Sequence, residues 1–301
     1  MNKTKIIAVV GTNASGKSAL GIELAQRFDG EIISADSRQV FEGFDLCCGK
    51  VTAEERALVP HHMLDVRRIG EAFSVSDFQE MSYRLIPEIA GRGHVPFIVG
   101  GTGLYVAAVV RDYELMQGEP DMALRAELDE KTLDELYPLL PDSERERLRQ
   151  NPSDWRNKRR IIRCIEKSRQ PTPAAKASAP RFDALQLGLT WPMEIMEQRI
   201  WKRLEQRLAE GMLDEVRDYL AAGAEAQHLH DLGLEYRYIL RYLSGEFRSE
   251  AAFKDELARA IRQFTKRQIT WFKRDESIHW LDIHGDYRSE AEALVEKFLN
   301  K

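Results

Sequence analysis

Cysteine is scarce: the 301-residue chain has three, Cys47, Cys48 and Cys164, an odd number without a C-x-x-C pair. Neither a disulfide framework nor a zinc ribbon is therefore expected, and the thiols are read as reduced. Long hydrophobic runs are missing as well. No segment is apolar enough to cross a bilayer, and the first residues lead into a strand-like run without the charged-then-apolar design of a leader, so a cytoplasmic protein with no membrane partner is expected. Internal repeats are absent. So is a surplus of positive charge, because 44 Lys and Arg stand against 49 Asp and Glu for a formal net charge of −5. That balance excludes a uniformly basic surface, although local charge decides binding to a polyanion. What remains is 43% hydrophobic and 31% charged, with helix-like patterns alternating with short apolar runs, which points to an α/β protein. At this length, one large domain carrying an insertion is as consistent as two domains.

The apolar run Ile6-Ile7-Ala8-Val9-Val10 leads into Gly11-Thr12-Asn13-Ala14-Ser15-Gly16-Lys17-Ser18, which fits G-x-x-x-x-G-K-[ST], and a helix-like segment from Ala19 to Phe28 follows. A buried strand that delivers the chain to a glycine turn, and then to a helix N-terminus, presents backbone N–H groups and a positive dipole end to an anion. Gly11 to Ser18 are therefore expected to hold phosphate. Lys17 would be the cationic donor, and the Ser18 hydroxyl would be the ligand of Mg²⁺, the one cofactor expected. The motif does not name the reaction.

A second strand-like run, Glu31-Ile32-Ile33-Ser34-Ala35, places Asp36 at a carboxyl end, where α/β sheets hold ligands. Ser37, Arg38 and Gln39 follow, all polar. Position alone leaves two roles open for Asp36, a helix cap or a catalytic carboxylate. A third run, Val95-Pro96-Phe97-Ile98-Val99, ends in Gly100-Gly101-Thr102-Gly103 instead of the Asp that helps hold Mg²⁺ in P-loop hydrolases. A second loop of backbone donors with the Thr102 hydroxyl suits a diphosphate, or the approach of a base to a reacting carbon. Glycines can also merely close a turn.

Charge is segregated. Acidic residues crowd Glu119 to Glu146, whereas Arg156, Lys158, Arg159, Arg160 and Arg163 form one basic cluster, and Arg259, Arg262, Lys266, Arg267, Lys273 and Arg274 form another. Helical spacing from Glu256 to Arg274 puts Leu257, Ile261, Phe264 and Gln268 on a packing stripe beside a basic one. Taken alone, such a stripe is a solvated face or an anion-binding one. Trp155, Trp271 and Phe272 are read as core aromatics that also have the chemistry to stack on bases. His61 and His62 have no third ligand at metal spacing and are read as structural or pocket-lining.

Several segments together resemble the tRNA dimethylallyltransferases, also called isopentenyltransferases. They are the P-loop, Asp36-Ser37-Arg38-Gln39-Val40-Phe41, Pro60-His61-His62-Met63-Leu64-Asp65, Phe73-Ser74-Val75-Ser76-Asp77-Phe78, Gly100 to Tyr105, Gln198-Arg199-Ile200 and Lys266-Arg267-Gln268-Ile269-Thr270-Trp271. In this order they run along nearly the whole chain. The resemblance implies transfer of a dimethylallyl group from dimethylallyl diphosphate to N6 of the adenosine immediately 3′ of the anticodon, with release of pyrophosphate. Asp36 would be the general base, Thr102 would position the amine, and Arg199 would contact the diphosphate. Arg203 and Arg207, at i+4 and i+8 from Arg199, are read as surface pairs with neighbouring glutamates.

The partner implied is the tRNA anticodon stem-loop, whose target base must be splayed out to be reached. Asp36, Ser37, Arg38, Gln39 and Thr102 would grip that base. Arg159, Arg160, Ile161, Ile162, Arg163, Lys266, Arg267, Lys273 and Arg274 would face the RNA. The expected architecture is a P-loop nucleoside-triphosphate-hydrolase-like core, with a parallel sheet flanked by helices, from 1–111 and 185–301. A helical insertion, 112–184, would cover the tRNA, with a Pro- and Ala-rich return from Gln170 to Pro180. A monomer is expected.

Some segments depart from the family pattern. The stretch from Gly103 to Trp155 is short. Cys47-Cys48-Gly49-Lys50 stands where Gly-Thr-Ala-Lys is usual, and Leu232-Gly233-Leu234 where Ile-Gly-Tyr is common. No Cys/His finger follows Trp280, as in the bacterial type. The rival readings are prenyl transfer to free AMP or ATP, and a P-loop small-molecule kinase.

Overall fold

The computed structural model describes residues 3–113, 115, 121–169 and 179–300. It divides into two compact units, Met1–Tyr113 with Ala179–Lys301, and Glu114–Ser178. The return segment expected from Gln170 to Pro180 lies, but for its last two residues, outside the described residues.

The first unit is an α/β layer structure. Its strands β1 (Lys5–Gly11), β2 (Gly30–Ser34), β3 (His61–His62), β4 (Val95–Gly100), β5 (Asp183–Leu189) and β6 (Ile278–Trp280) form one sheet in the order β3-β2-β4-β1-β5-β6. Every pairing is parallel. Parallel strands are covered on both faces, and so read as continuous apolar runs. In β1, Ile6 to Val10 are all 0% exposed.

Its longer helices include α1 (Lys17–Arg27), α2 (Val75–Gly91), α3 (Gly103–Val110), α4 (Met193–Ala209), α5 (Leu234–Leu243), α6 (Glu250–Phe272) and α7 (Tyr287–Leu299). One face of the sheet packs on Phe78, Ile86, Val106 and Val109 from α2 and α3. The other packs on Leu20, Leu24, Ala291 and Val295 from α1 and α7. A third cluster joins α4, α5 and α6 through Ile200, Leu204, Ile239, Phe253 and Leu257. The buried stripe of α6 runs through Phe253, Leu257, Ile261, Thr265, Gln268 and Phe272. Phe264, expected on that stripe, is instead 36% exposed, because it lies on the next face round with Arg267 and Trp271.

What this topology does for function is bring distant loops together. Strands β2, β4 and β1 are neighbours, with Ser34 level with Val99 and Val10 level with Gly100. The loops that follow them therefore emerge side by side at the carboxyl edge, where open parallel sheets bind ligands.

The second unit is helical, with Met122–Asp129 and Lys158–Arg169 among its helices. Its core is made by Leu128, Leu136, Leu148, Ile161 and Ile165, and Tyr137 stacks on Trp155 with centroids 3.9 Å apart. Ile161 and Ile162 are 0% and 5% exposed. They hold this core together, which corrects their expected place on an RNA-facing surface.

Candidate active site

The P-loop makes a sharp turn after β1. Gly16 takes φ +98°, a left-handed conformation that suits glycine, and caps α1. Three side chains from far along the chain hold the loop from outside. Trp191 Nε1 donates to the Ser15 carbonyl at 2.7 Å, Arg199 Nε donates to the Ala14 carbonyl at 2.6 Å, and the Asn13 N–H donates to Gln268 Oε1 at 2.9 Å. Arg199 also lies over the Trp191 ring, 5.1 Å from its centroid. Gln268 Nε2 donates to the Gly101 carbonyl at 3.1 Å, so one buried amide ties the P-loop to the turn after β4. These contacts fix the direction of the loop amides, and preorganised donors of this kind stabilise an anion at little reorganisation cost.

Lys17 lies beneath the loop, with Nζ donating to the Thr12 carbonyl at 3.2 Å. Burial pushes its ammonium down to about 8; Asp36 opposes that, and Arg203 and Arg207 add to it. A cation crowded by cations and short of solvent favours an incoming anion.

The loop after β2 is built around Asp36. Its Oδ1 accepts the Arg38 N–H at 2.9 Å, and the chain from Ser37 onward is a turn, so the helix-cap role does not apply. Thr102 joins this loop to the one after β4. Its Oγ1 accepts the Ser37 N–H at 3.0 Å, and its own N–H donates to the Ala35 carbonyl at 3.1 Å.

These loops open on a cavity of about 490 Å³. Asn13, Asp36, Arg38 and Thr102 line one side, Cys48, Arg203, Arg207 and Glu235 the inner part, and Phe264, Arg267 and Trp271 the rim. An adjoining recess of about 410 Å³ shares Ala14 and Arg203 with it and is lined by Lys17, Ser18, Lys50 and Arg199. A cation-rich recess thus adjoins a cavity that carries a carboxylate and a hydroxyl.

Several residues fall elsewhere than the sequence suggests. Arg203 and Arg207 do not pair on the helix surface with glutamates. They line the cavity, with guanidinium groups against Gly49, and burial lowers Arg203 to about 10. Their spacing from Arg199 on α4 was the available signal, since i, i+4 and i+8 share one face. Glu235, at the start of α5, is a lining residue that sequence reasoning missed. Burial raises its carboxyl, with its own backbone N–H, Arg207 and Arg38 opposing.

Lys50 is pinned by the Gly43 carbonyl at 2.6 Å and by Asp45 and Asp65 at 2.8 and 2.5 Å. The Cys48 thiol is pushed up to about 12 by burial, and Cys47 Sγ donates to the Met212 carbonyl at 3.5 Å. Neither is set up as a nucleophile. All three cysteines are free.

Gln39 is not brought to the cavity. Its Nε2 donates to the Gly49 carbonyl at 2.9 Å, and its Oε1 accepts from Ser34 Oγ at 2.8 Å, so it braces the loop. Lys266 and Lys273 lie outside both linings. Arg159, Arg160 and Arg163 belong to the other unit. His61 and His62 form β3, bonded to the Val59 carbonyl at 2.7 Å and to Glu31 at 2.6 Å, the structural half of their expectation.

Fold and site together define a P-loop α/β protein with a cation-rich recess beside a polar cavity. A model of the IPP transferase family matches residues 39–275. The tRNA dimethylallyltransferase 2 of Shewanella sediminis is 40% identical over 303 residues, covering 98% of this chain and 99% of that one. The tRNA dimethylallyltransferase 2 of Syntrophotalea carbinolica is 40% identical over 287 residues, covering 93% and 95%. The crystal structure of the full-length tRNA isopentenylpyrophosphate transferase of Bacillus halodurans superposes with a TM-score of 0.73 at 32% identity, covering 99% and 97% of the two chains. A eukaryotic dimethylallyltransferase acting on tRNA shares the fold, with a TM-score of 0.78 at 22% identity, over 99% of this chain and 80% of that one. The chain belongs to the IPP transferase family.

Proposed function

We propose that this chain is a tRNA prenyltransferase that moves a dimethylallyl group from dimethylallyl diphosphate to N6 of the adenosine immediately 3′ of the anticodon. The observation that carries the reading is the direct junction between the Lys17–Arg199 recess and the cavity bearing Asp36 and Thr102. It also accounts for the end of β4. A hydrolase needs an activated water and a metal-binding carboxylate there, whereas a departing pyrophosphate needs positive charge and aimed N–H groups, and β4 ends in Gly100-Gly101-Thr102.

In this mechanism the loop amides of Gly16 and Lys17, the Lys17 ammonium and Arg199 hold the diphosphate. Arg203 and Arg207 raise the positive potential between the recess and the cavity. The adenine enters with its amine towards Asp36 and Thr102. As N6 bonds to C1 of the dimethylallyl group, the C1–O bond breaks and its electron pair leaves with pyrophosphate. Asp36 takes the proton that N6 loses, through the carboxylate oxygen not engaged by Arg38. Thr102 accepts the Ser37 N–H at 3.0 Å and donates its own O–H to Ser37 Oγ across a long 3.5 Å contact, which an incoming amine would replace as the hydroxyl's partner. Apolar walls of buried Leu204 and Met212 and partly buried Leu234 exclude water from the allylic carbon and favour transfer over hydrolysis.

The residues present suit Mg²⁺. Ser18 offers a hydroxyl in the recess, and the remaining positions of such an ion would be filled largely by substrate oxygens and water. When bound, it would neutralise charge building on the leaving pyrophosphate.

The test is incubation with Mg²⁺, dimethylallyl diphosphate and either unmodified tRNA or AMP, with an ATP control, followed by mass spectrometry of the nucleosides. Isopentenyladenosine formed in tRNA alone is expected. Product on AMP would move the reading to free-nucleotide prenylation, and ATP turnover without prenyl transfer to a kinase.

A further inference from the structure

Trp271 belongs to two cavities at once. It is 39% exposed, lies against the backbone of Gly103, where a β-carbon would collide with the indole, and lines the reaction cavity at its rim. It also lines a separate cavity of about 150 Å³. That space is of nucleobase size; Trp271 and Phe272 line it together with the apolar Val106, Ala107 and Ile278 and with the polar Arg111, Gln186, Arg274 and Asp275. Asp275 is already engaged, by Arg111 at 2.8 Å and by Gln186 Nε2 at 3.3 Å. Arg274 is exposed and has no ion-pair partner among the described residues. The cavity therefore combines an aromatic wall, hydrogen-bonding edges and one uncommitted cation.

A large aromatic left partly in solvent on a basic helix end has a stated use in single-stranded nucleic acid binding, where bases stack on such rings and cations meet the backbone. A target base extracted into the first cavity carries its covalent neighbours to the rim, and the second cavity opens at that rim through Gly103, Trp271 and Phe272. We propose that this second cavity receives the base of a nucleotide next to the target adenosine, stacked on Trp271, with Arg274 against its phosphate. The proposal rests on the tRNA reading above. It assigns Trp271 a role in holding the substrate open, because a neighbour docked on the indole is no longer free to re-stack with the target base.

Binding of a labelled anticodon stem-loop RNA at fixed salt tests this without turnover. The wild type is compared with Trp271→Leu, Trp271→Phe and Arg274→Ala, using intact RNA and RNAs made abasic at the 5′ or the 3′ neighbour of the target. Removing one of the two neighbours should weaken wild-type binding by about 5- to 150-fold, the range for one stacked base. Trp271→Leu should show that loss on intact RNA and lose nothing more on the abasic RNA, while Trp271→Phe keeps most of the affinity. Arg274→Ala, at an exposed position, should show a smaller loss that also disappears on the abasic RNA. Equal losses on intact and abasic RNA, or no effect of either abasic position on the wild type, would overturn the subsite. Prenyl transfer by the wild type to intact RNA is scored separately, so a missing reaction is distinguished from a missing subsite.

Discussion

Two basic segments look alike in the sequence and are used differently in the structure. In the helical unit, Arg160 pairs with Asp154, Arg163 with Glu166 at 2.6 Å and Lys158 with Asp129 at 3.7 Å; Arg159 is engaged as well. At the end of α6, Lys266, Lys273 and Arg274 have no ion-pair partner among the described residues. Arg267 there lies over the Phe264 ring, 5.6 Å from its centroid, at the cavity rim. A paired cation must give up its carboxylate to bind phosphate, and that loss offsets the gain. An unpaired one beside exposed aromatics gives up only water. The count of basic residues is the same kind of number in both places, and the partner decides what it means.

This contrast is open to several tests. The largest expected effect lies across the cavity from the α6 rim: Asp36→Ala should cut turnover by about 10²- to 10⁴-fold, the usual worth of a general base. tRNA affinity should stay near wild type, as expected where the unpaired cluster rather than Asp36 supplies the RNA contacts. Parallel loss of binding would show that the two functions are not separated.

Next comes the paired region. Glu166 is 1% exposed and accepts from Arg125 at 2.9 Å, from Arg163 at 2.6 Å and from the Asp121 N–H at 2.9 Å. Burial alone would raise its carboxyl, but these donors bring it down to about 2. A lowered carboxylate contributes stability that is complete above the unfolded value near 4.5 and is lost as pH falls towards 2. Glu166→Gln should weaken the helical unit by about 1–3 kcal/mol at neutral pH and flatten its acid response over that window. Hydrogen exchange of the Lys158–Arg169 amides reads both, and an unchanged acid response would refute the assignment.

A similar magnitude is expected for the brace on the other side. Gln268→Ala strands the Asn13 N–H and the Gly101 carbonyl, at a cost of about 1–3 kcal/mol. It should also raise KM for dimethylallyl diphosphate, which a purely packing role would leave unchanged.

The smallest effects sharpen the comparison most. Arg267→Ala should lower the slope of log affinity for tRNA against log salt by about 1. Arg160→Ala should leave that slope unchanged, and a result in the reverse order would invert the reading of the two clusters.

Much of this was legible in advance, for identifiable reasons. The P-loop, the strand carrying Asp36 and the Gly100-Gly101-Thr102 turn announce themselves because glycine placement and buried parallel strands leave strong local patterns. Sheet order is not local, yet it is what sets β2, β4 and β1 side by side and joins Thr102 Oγ1 to the Ser37 N–H. Arg203 and Arg207 were misplaced because helical spacing gives a shared face without saying whether that face meets solvent or a cavity. Phe264 was misplaced by the drift of a 3.6-residue period over a 23-residue helix. Ile161 and Ile162 were drawn into an RNA-facing set by charged neighbours, although their apolar spacing already marked a core. Gln268 was visible only as a helix position, since its bonds reach Asn13 and Gly101, more than 160 positions earlier in the chain.

If the P-loop holds a leaving group, the fate of labelled dimethylallyl diphosphate followed in one reaction with unmodified tRNA reveals it. One pyrophosphate should be released for each isopentenyladenosine formed, and no orthophosphate. Orthophosphate release, or pyrophosphate appearing without prenylated tRNA, would contradict that role of the P-loop.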